Sequence, residues 1–417
     1  MNDSTQQITK DPFAAIRIPE FRYLITGRFC FIMGLRMMST LVGWWIYQLT
    51  KDPLSIGIVG LSEFVPAFVF ALYSGHIIDV SEKRRLLLKA IFFYTCIALA
   101  LFALTTSLIA RSMSNSGIAY CIYALIFCTG IIRSFSGPVF SALVGNIAPR
   151  QYLQNATTWS QGSWLSASVT GHALGGFCVA FFGYGGTMII VCALLVTAFI
   201  VLMRLKKKPP AAITGEKKTW ASMMEGLTFV FKTKELLAAL ALDMFAVLFG
   251  GAVAMVPVYA SDILHIGPIG YGWLNAAADI GAILIVVMLT IMPLKRAQGR
   301  ILLFAVGGFG ICVIVFALSK WFFLSFIALL IAGMLDGVSV VVRGTVMQLK
   351  TPDHMRGRVS SVSSMFVNSS NELGQFESGI ASRIFGVVRS VVFGGCMTIA
   401  VVLVAWFTAP KLRKFEY

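Results

Sequence analysis

Eleven ionisable side chains stand inside long apolar stretches of this chain: Arg28, Arg36, Glu63, Arg133, His172, Asp243, Asp279, Asp336, Arg343, Glu372 and Glu377. A charge at the centre of a membrane helix costs about 3 kcal/mol or more unless it is paired or reaches water, so each marks a partner or a site. The chemistry open to such groups is proton carriage and ion recognition. Burial raises the pKa of a carboxylate and makes it a usable proton carrier near neutrality. Glu372 and Glu63 are the first candidates for that role, followed by Asp336 and Asp279. Arg28, Arg36 and Arg133 offer guanidinium forks suited to catecholate or carboxylate oxygens of a cargo. Asn368, Glu372, Gln375 and Gly379 follow a 4-3-4 spacing, which on a helix makes one polar stripe facing a cavity. Glu377 lies about 140° round the helix from Glu372 and faces a neighbour. Asp336 and Arg343, about 10 Å apart along one helix face, are too distant to pair, so each needs another partner or water. The alternative for any one of these groups is a helix–helix hydrogen bond or a fixed ion pair, and His172 reads more readily as packing than as a relay.

The elements that must position these groups are twelve apolar stretches, near 21–49, 54–80, 86–109, 117–147, 152–182, 184–205, 235–262, 268–293, 299–318, 321–349, 357–385 and 387–408. Each is near the roughly 20 residues needed to cross a bilayer as a helix. Composition agrees, with 58% hydrophobic and 12% charged residues and a mean hydropathy of +0.83. The runs lack two-residue alternation, so helices rather than a barrel are expected. The fold class read from this is all-α integral membrane, with two six-helix bundles related by pseudo-symmetry.

The net charge of +16 has a topological pattern. Loops after even-numbered stretches, together with both tails, hold about 25 of the 34 Lys and Arg. The odd-numbered loops hold about five, including Lys51, Arg111 and Lys320. This is the positive-inside asymmetry and places both termini in the cytoplasm, with no nucleic-acid footprint. The eight cysteines form no CxxC or Cys/His cluster, so neither metal nor disulfide framework is expected. No cofactor is expected, and the polar start of the chain lacks a signal-peptide cleavage pattern.

The longest basic gap separates the sixth and seventh stretches. The division it suggests is a cytoplasmic segment 1–20, a six-helix bundle 21–205, a basic loop 206–234, a second bundle 235–408 and a tail 409–417. Within the loop, Trp220, Met223, Met224, Leu227, Val230 and Phe231 recur at helical spacing, as in an amphipathic helix on the membrane surface. At an offset of 203 residues Pro149 falls on Pro352, Gly171 on Gly374, Gly176 on Gly379 and Arg133 on Asp336. With six stretches on each side, this pattern points to duplication. Trp44, Trp45 and Tyr47 read as an interfacial aromatic belt.

After the second stretch the chain reads Gly75-His76-Ile77-Ile78-Asp79-Val80-Ser81-Glu82-Lys83-Arg84-Arg85. An acid where a helix leaves the membrane, followed by a basic cluster, suits a cytoplasmic latch on Gly75, Asp79, Lys83, Arg84 and Arg85. This motif, the twelve stretches and the central basic loop resemble the major facilitator superfamily over essentially the whole chain. The counterpart 293–300 keeps its basic residues but lacks the Asp, so the latch is one-sided. Further wording narrows the resemblance: Phe21-Arg22-Tyr23-Leu24, Trp44-Trp45-Ile46-Tyr47-Gln48-Leu49-Thr50, Glu63-Phe64-Val65-Pro66, Ser136-Gly137-Pro138, Pro352-Asp353-His354-Met355-Arg356-Gly357-Arg358-Val359 and, most specifically, Ser370-Asn371-Glu372-Leu373-Gly374-Gln375-Phe376-Glu377-Ser378-Gly379. This set is similar to the enterobactin-exporter branch, which includes macrolide and other drug exporters.

The resemblance implies a bacterial inner-membrane exporter driven by proton antiport, and the direction of transport comes from it alone. Arg133 also resembles a fourth-helix arginine linked to proton coupling in superfamily exporters. The reading is a monomeric alternating-access carrier of a siderophore or related amphiphile, with small solute, protons and lipid bilayer as partners and no nucleic acid. A broad macrolide-like drug exporter is the alternative. A non-transporting sensor would need a soluble signalling domain, which no gap accommodates. No HExxH, nucleophile elbow or phosphate loop suggests an enzyme.

Overall fold

The structure is a computed structural model that describes residues 11–207, 220–292, 294, 296–352 and 355–416. Those residues form helices and connecting turns, with no strand among them. In chain order the helices are α1 (Pro19–Thr50), α2 (Pro53–Val80), α3 (Lys83–Leu104), α4 (Ser107–Ser112), α5 (Asn115–Ile147), α6 (Leu153–Met203), α7 (Trp220–Lys232), α8 (Lys234–Phe249), α9 (Val256–Val258), α10 (Gly267–Ile291), α11 (Gln298–Leu318), α12 (Phe322–Lys350), α13 (Arg356–Phe385), α14 (Val387–Thr408) and α15 (Pro410–Arg413). The starts are locally encoded: Pro19 and Pro53 occupy the first turn of α1 and α2, where no N–H partner is required. Asp52 accepts from the Leu54 amide and Ser114 from the Gly117 amide, capping α2 and α5.

Nine helices among the described residues are long and apolar enough to cross a membrane. The difference from twelve stretches has three physical sources. The span Arg150–Met203 counts once although it contains two helices that meet at Gly183. Helix α8 stops at Phe249 after 16 residues, and its path continues through tighter and wider turns to Ile263. Helix α13 is rich in Ser, Asn and Glu, so its hydropathy falls short.

Gly183 has φ 65° and Gly386 φ 83°, a left-handed geometry that a Cβ would strain, and the two glycines stand 203 positions apart. At each the chain doubles back. Helix α1 runs beside residues 153–182 in the same direction, with Arg28 at Ser160 and Thr40 at His172, and beside 184–203 in the opposite direction, with Gly27 at Leu202 and Trp45 at Tyr184. Helix α8 treats α13 and α14 alike, with Leu248 at Gly374 and Ala246 at Thr398.

The glycines singled out by their spacing have matched neighbours. A Cβ on Gly171 would come within 2.8 Å of the Met33 carbonyl on α1, and one on Gly374 within 2.9 Å of the Leu248 carbonyl on α8. One on Gly176 would lie 2.4 Å from the Pro268 carbonyl at the start of α10, and one on Gly379 3.1 Å from Gly57 on α2. Small residues let these backbones approach closely, as in membrane helix packing generally.

Helix α7 forms as expected, but its apolar face is only partly free to meet a membrane. Val230 is fully buried in a cluster with Met355, Val359 and Val362 of α13, and Glu225 pairs with Arg358 at 2.5 Å. Phe231 and Met224 remain exposed. The side chains of Trp220 and Met223, and residues 208–219 of the basic loop, lie outside the described residues.

Candidate functional site

A cavity of about 660 Å³ lies between the N-terminal and C-terminal halves of the chain. Eight of the ionisable groups picked out from the sequence line it: Arg28, Arg36, Glu63, Arg133, His172, Asp279, Asp336 and Glu372.

The centre of the site is a three-residue bridge. Arg133 on α5 donates from one guanidinium nitrogen to Glu63 on α2 at 2.8 Å and to Glu372 on α13 at 2.7 Å. Local packing puts it there. A Cβ at Gly130, one turn before Arg133, would collide with the Glu63 carbonyl and the Pro66 ring, so only glycine lets α5 lie this close to α2. Glu372 is 9% exposed and Arg133 42%, because the arginine faces the cavity. Charge-assisted bonds of this length are among the stronger contacts available to a protein. This one joins the two halves, since Glu63 and Arg133 come from one and Glu372 from the other.

A second polar contact crosses between halves at Asp279 on α10, which accepts from Ser168 on α6 at 2.5 Å. His172 stands 3.9 Å from the same carboxylate, too far for a hydrogen bond, and its other ring nitrogen meets Thr40 at 2.8 Å. The histidine is thus anchored to α1, as a packing role requires.

The arginines on α1 are engaged rather than free. Arg28 donates to the Ser160 carbonyl at 3.2 Å and to its hydroxyl, and lies over Phe140. Arg36 lies over the Trp164 ring at 5.2 Å, with Asp279, Glu63 and Glu372 as its electrostatic neighbours. Arg343 does not line the cavity: it pairs with Asp243 on α8, both under a tenth exposed. That pair explains why Asp336 and Arg343 need not meet. Asp336 itself is half-buried at the cavity wall and has no hydrogen bond or ion pair among the described residues. Gln375 lines the cavity and packs on α2, where a Cβ at Gly60 would sit 2.7 Å from its amide oxygen. The Asn368 side chain lies outside the described residues.

The cavity is sealed at the end that carries Lys51. There Tyr47 donates to Asp262, Gln48 to Ser261 at 3.0 Å, and Arg383 pairs with Asp52 at 3.6 Å. Trp44 stacks on Tyr271 with centroids 5.7 Å apart. Trp44, Trp45 and Tyr47 are therefore not an interfacial belt: they are 7%, 5% and 2% exposed and pack between helices. Their amphipathic rings suit a helix–helix seam as well as a lipid interface, and sequence gives no way to choose. Tyr271, Asp262, Ser261 and Ser168 went unrecognised because each contacts a residue more than a hundred positions away, and no local spacing marks them.

At the opposite end, Arg84 donates to the Met203 carbonyl at 2.6 Å, closing the last turn of α6. Lys83 and Arg85 begin α3 beside it. The side chains of Gly75 and Asp79 lie outside the described residues, although their backbone is helical within α2.

A bundle of membrane-length helices around a charged central cavity, closed at one end, is the arrangement of a membrane transporter. The family described as transmembrane secretion effector matches residues 10–417, and the chain belongs to this family of major facilitator type. It is similar to the multidrug efflux pump Tap of Mycolicibacterium fortuitum, 22% identical over 385 residues that cover 89% of this chain and 91% of Tap. It resembles the enterobactin exporter EntS of Escherichia coli O81 (strain ED1a), 23% identical over 404 residues, 95% of this chain and 94% of EntS. The MFS-type transporter YfmI of Bacillus subtilis (strain 168) is 21% identical over 394 residues, 92% of this chain and 94% of YfmI. Among solved structures, the POT family transporter PepTSo superposes with a TM-score of 0.73 at 13% identity, covering 96% of this chain and 99% of PepTSo. The nucleoside transporter NupG does so with a TM-score of 0.70 at 13% identity, covering 95% and 100%. The fold is that of these transporters.

Proposed function

We propose that this protein exports a small amphiphilic solute across a bacterial inner membrane in exchange for protons, by alternating access. The observation that carries the reading is the Arg133 bridge: one cation holds Glu63 of its own half and Glu372 of the other in the wall of the cavity. A proton taken up by Glu372 removes the charge that Arg133 grips across the halves, which frees them to part. Proton binding and conformation are thereby linked through one contact.

The architecture that suits this mechanism is twelve crossings in two bundles, 21–205 and 235–408. The matched reversals at Gly183 and Gly386, and the matched packing of Gly171 with Gly374 and Gly176 with Gly379, support an internal repeat. With both termini cytoplasmic, as the basic loops argue, the sealed Lys51 end faces outward and the structure is inward-facing. The chain works as a monomer in this reading. Asp79 with Lys83, Arg84 and Arg85 forms the inner latch of the opposite state.

The relatives named for a siderophore and for multiple drugs both support export, and they leave two cargo classes. A catecholate-like anion would use Arg28, Arg36 and Arg133, all of which are engaged here. A basic, drug-like amphiphile is favoured by the unpaired carboxylate of Asp336. The test is proteoliposome flux. An imposed proton gradient should drive solute accumulation, and a protonophore should abolish it. Accumulation that persists after the gradient collapses would rule out antiport.

A further inference from the structure

The charges along the cavity wall are unequal in number and in how they are matched. Four carboxylates (Glu63, Asp279, Asp336 and Glu372) face three guanidiniums. Three of the carboxylates are accounted for. Glu63 and Glu372 hold Arg133, and Asp279 takes the Ser168 hydroxyl and neighbours Arg36. Asp336 is left over. It projects from α12 with no hydrogen bond or ion pair, and no charged group among the described residues acts on it appreciably. Gly333 and Leu329, one and two turns earlier on α12, also line the cavity, as do Phe309 and Val313 from α11 and Ala278 and Ala282 from α10.

Arg343, the cation nearest in sequence on the same helix, is bound to Asp243 outside the cavity. An uncompensated carboxylate at a low-dielectric wall is costly without a partner, and no described residue supplies one. The partner it suits is a ligand cation whose apolar body lies along Phe309 and Val313.

Resting on the exporter reading above, we propose that Asp336 is the recognition site for a protonated amine on the transported solute. The cargo class is then an amphiphile with a basic nitrogen and an apolar or aromatic body, rather than a catecholate or carboxylate anion. Arg133 is a poor anion site in this conformation because the charges of Glu63 and Glu372 already offset its own. Arg36 lies on the face of Trp164, with Asp279 as its strongest charged neighbour, so an incoming anion would compete with that carboxylate for it. The bridge moves the proton and Asp336 chooses the cargo, so coupling and selectivity sit on different helices.

Three probes that share one fluorophore separate charge from hydrophobicity: dansylcadaverine carries a primary amine, its N-acetyl derivative is neutral and dansylglycine is anionic. Binding to the purified full chain in detergent is read from dansyl fluorescence. The amine should bind at least tenfold tighter than either of the others. Asp336→Asn should reduce that preference to within about twofold while leaving affinity for the neutral probe unchanged, and Asp336→Glu should restore part of it. Wild-type protein that prefers the anion, or shows no preference, overturns the proposal without any variant, so misfolding of Asp336→Asn leaves it testable. An Asp336→Asn variant that binds the neutral probe normally and keeps the full amine preference overturns it too. The exporter reading fails separately, if the wild type shows no proton-driven flux of any solute even though it binds the amine.

Discussion

Replacing Glu372 with glutamine keeps the shape of the central bridge and deletes the charge that Arg133 holds across the two halves. Its 2.7 Å contact loses the ion-pair component, because an amide oxygen carries no charge, while the 2.8 Å contact to Glu63 survives within the N-terminal half. A hydrogen bond to a charged group contributes about 1.5–3 kcal/mol. The Arg133 side chain is 42% exposed to the cavity, so screening brings the cross-half contribution down to about 1–2 kcal/mol. Because the contact must break for the Lys51 end to open, the equilibrium should shift toward the outward-open state by about 5- to 30-fold. The reporter is a cysteine at Ser39, which lines the cavity. In intact cells a membrane-impermeant maleimide reaches it only through the Lys51 end. Labelling of Ser39→Cys should be about 5- to 30-fold faster in the Glu372→Gln background, and unchanged by Glu225→Gln at the surface pair with Arg358. The same variant should lose proton-driven flux, since a permanently neutral side chain has no proton to exchange. Equal labelling rates with and without Glu372 would refute the argument that this bridge holds the halves.

Other expectations follow from particular contacts. Arg343→Leu strands Asp243 in a dry interior, where both partners are under a tenth exposed, and should destabilise the C-terminal half by about 3–5 kcal/mol. Thermal unfolding in detergent would show it, and adding Asp243→Leu should recover most of the loss. Gly176→Val places carbon where only 2.4 Å separates a Cβ from the Pro268 carbonyl, forcing α6 and α10 apart at the sealed end. Ser39→Cys should then label readily from the Lys51 side while the protein still folds; unchanged labelling would mean that this close approach is not part of the seal.

The sequence by itself determined the helical membrane class and the identity of most cavity groups. Hydropathy and the cost of buried charge act locally: a 20-residue apolar run has few alternatives, and an arginine or glutamate within it must face a partner or a cavity. Glu63, Arg133 and Glu372 were therefore legible as a set although 70 and 239 positions separate their contacts. What the sequence could not provide was the pairing. Which carboxylate meets Arg133, that Arg343 belongs to Asp243, and that Asp336 has no partner among the described residues depend on how helices distant in the chain are rotated against one another. At the same 203-residue offset Gly183 and Gly386 both take a positive φ, which composition alone does not show. The aromatic residues near Lys51 make the same point. Trp and Tyr satisfy a lipid headgroup or a buried seam with the same chemistry, so only tertiary packing decided that they close the transporter.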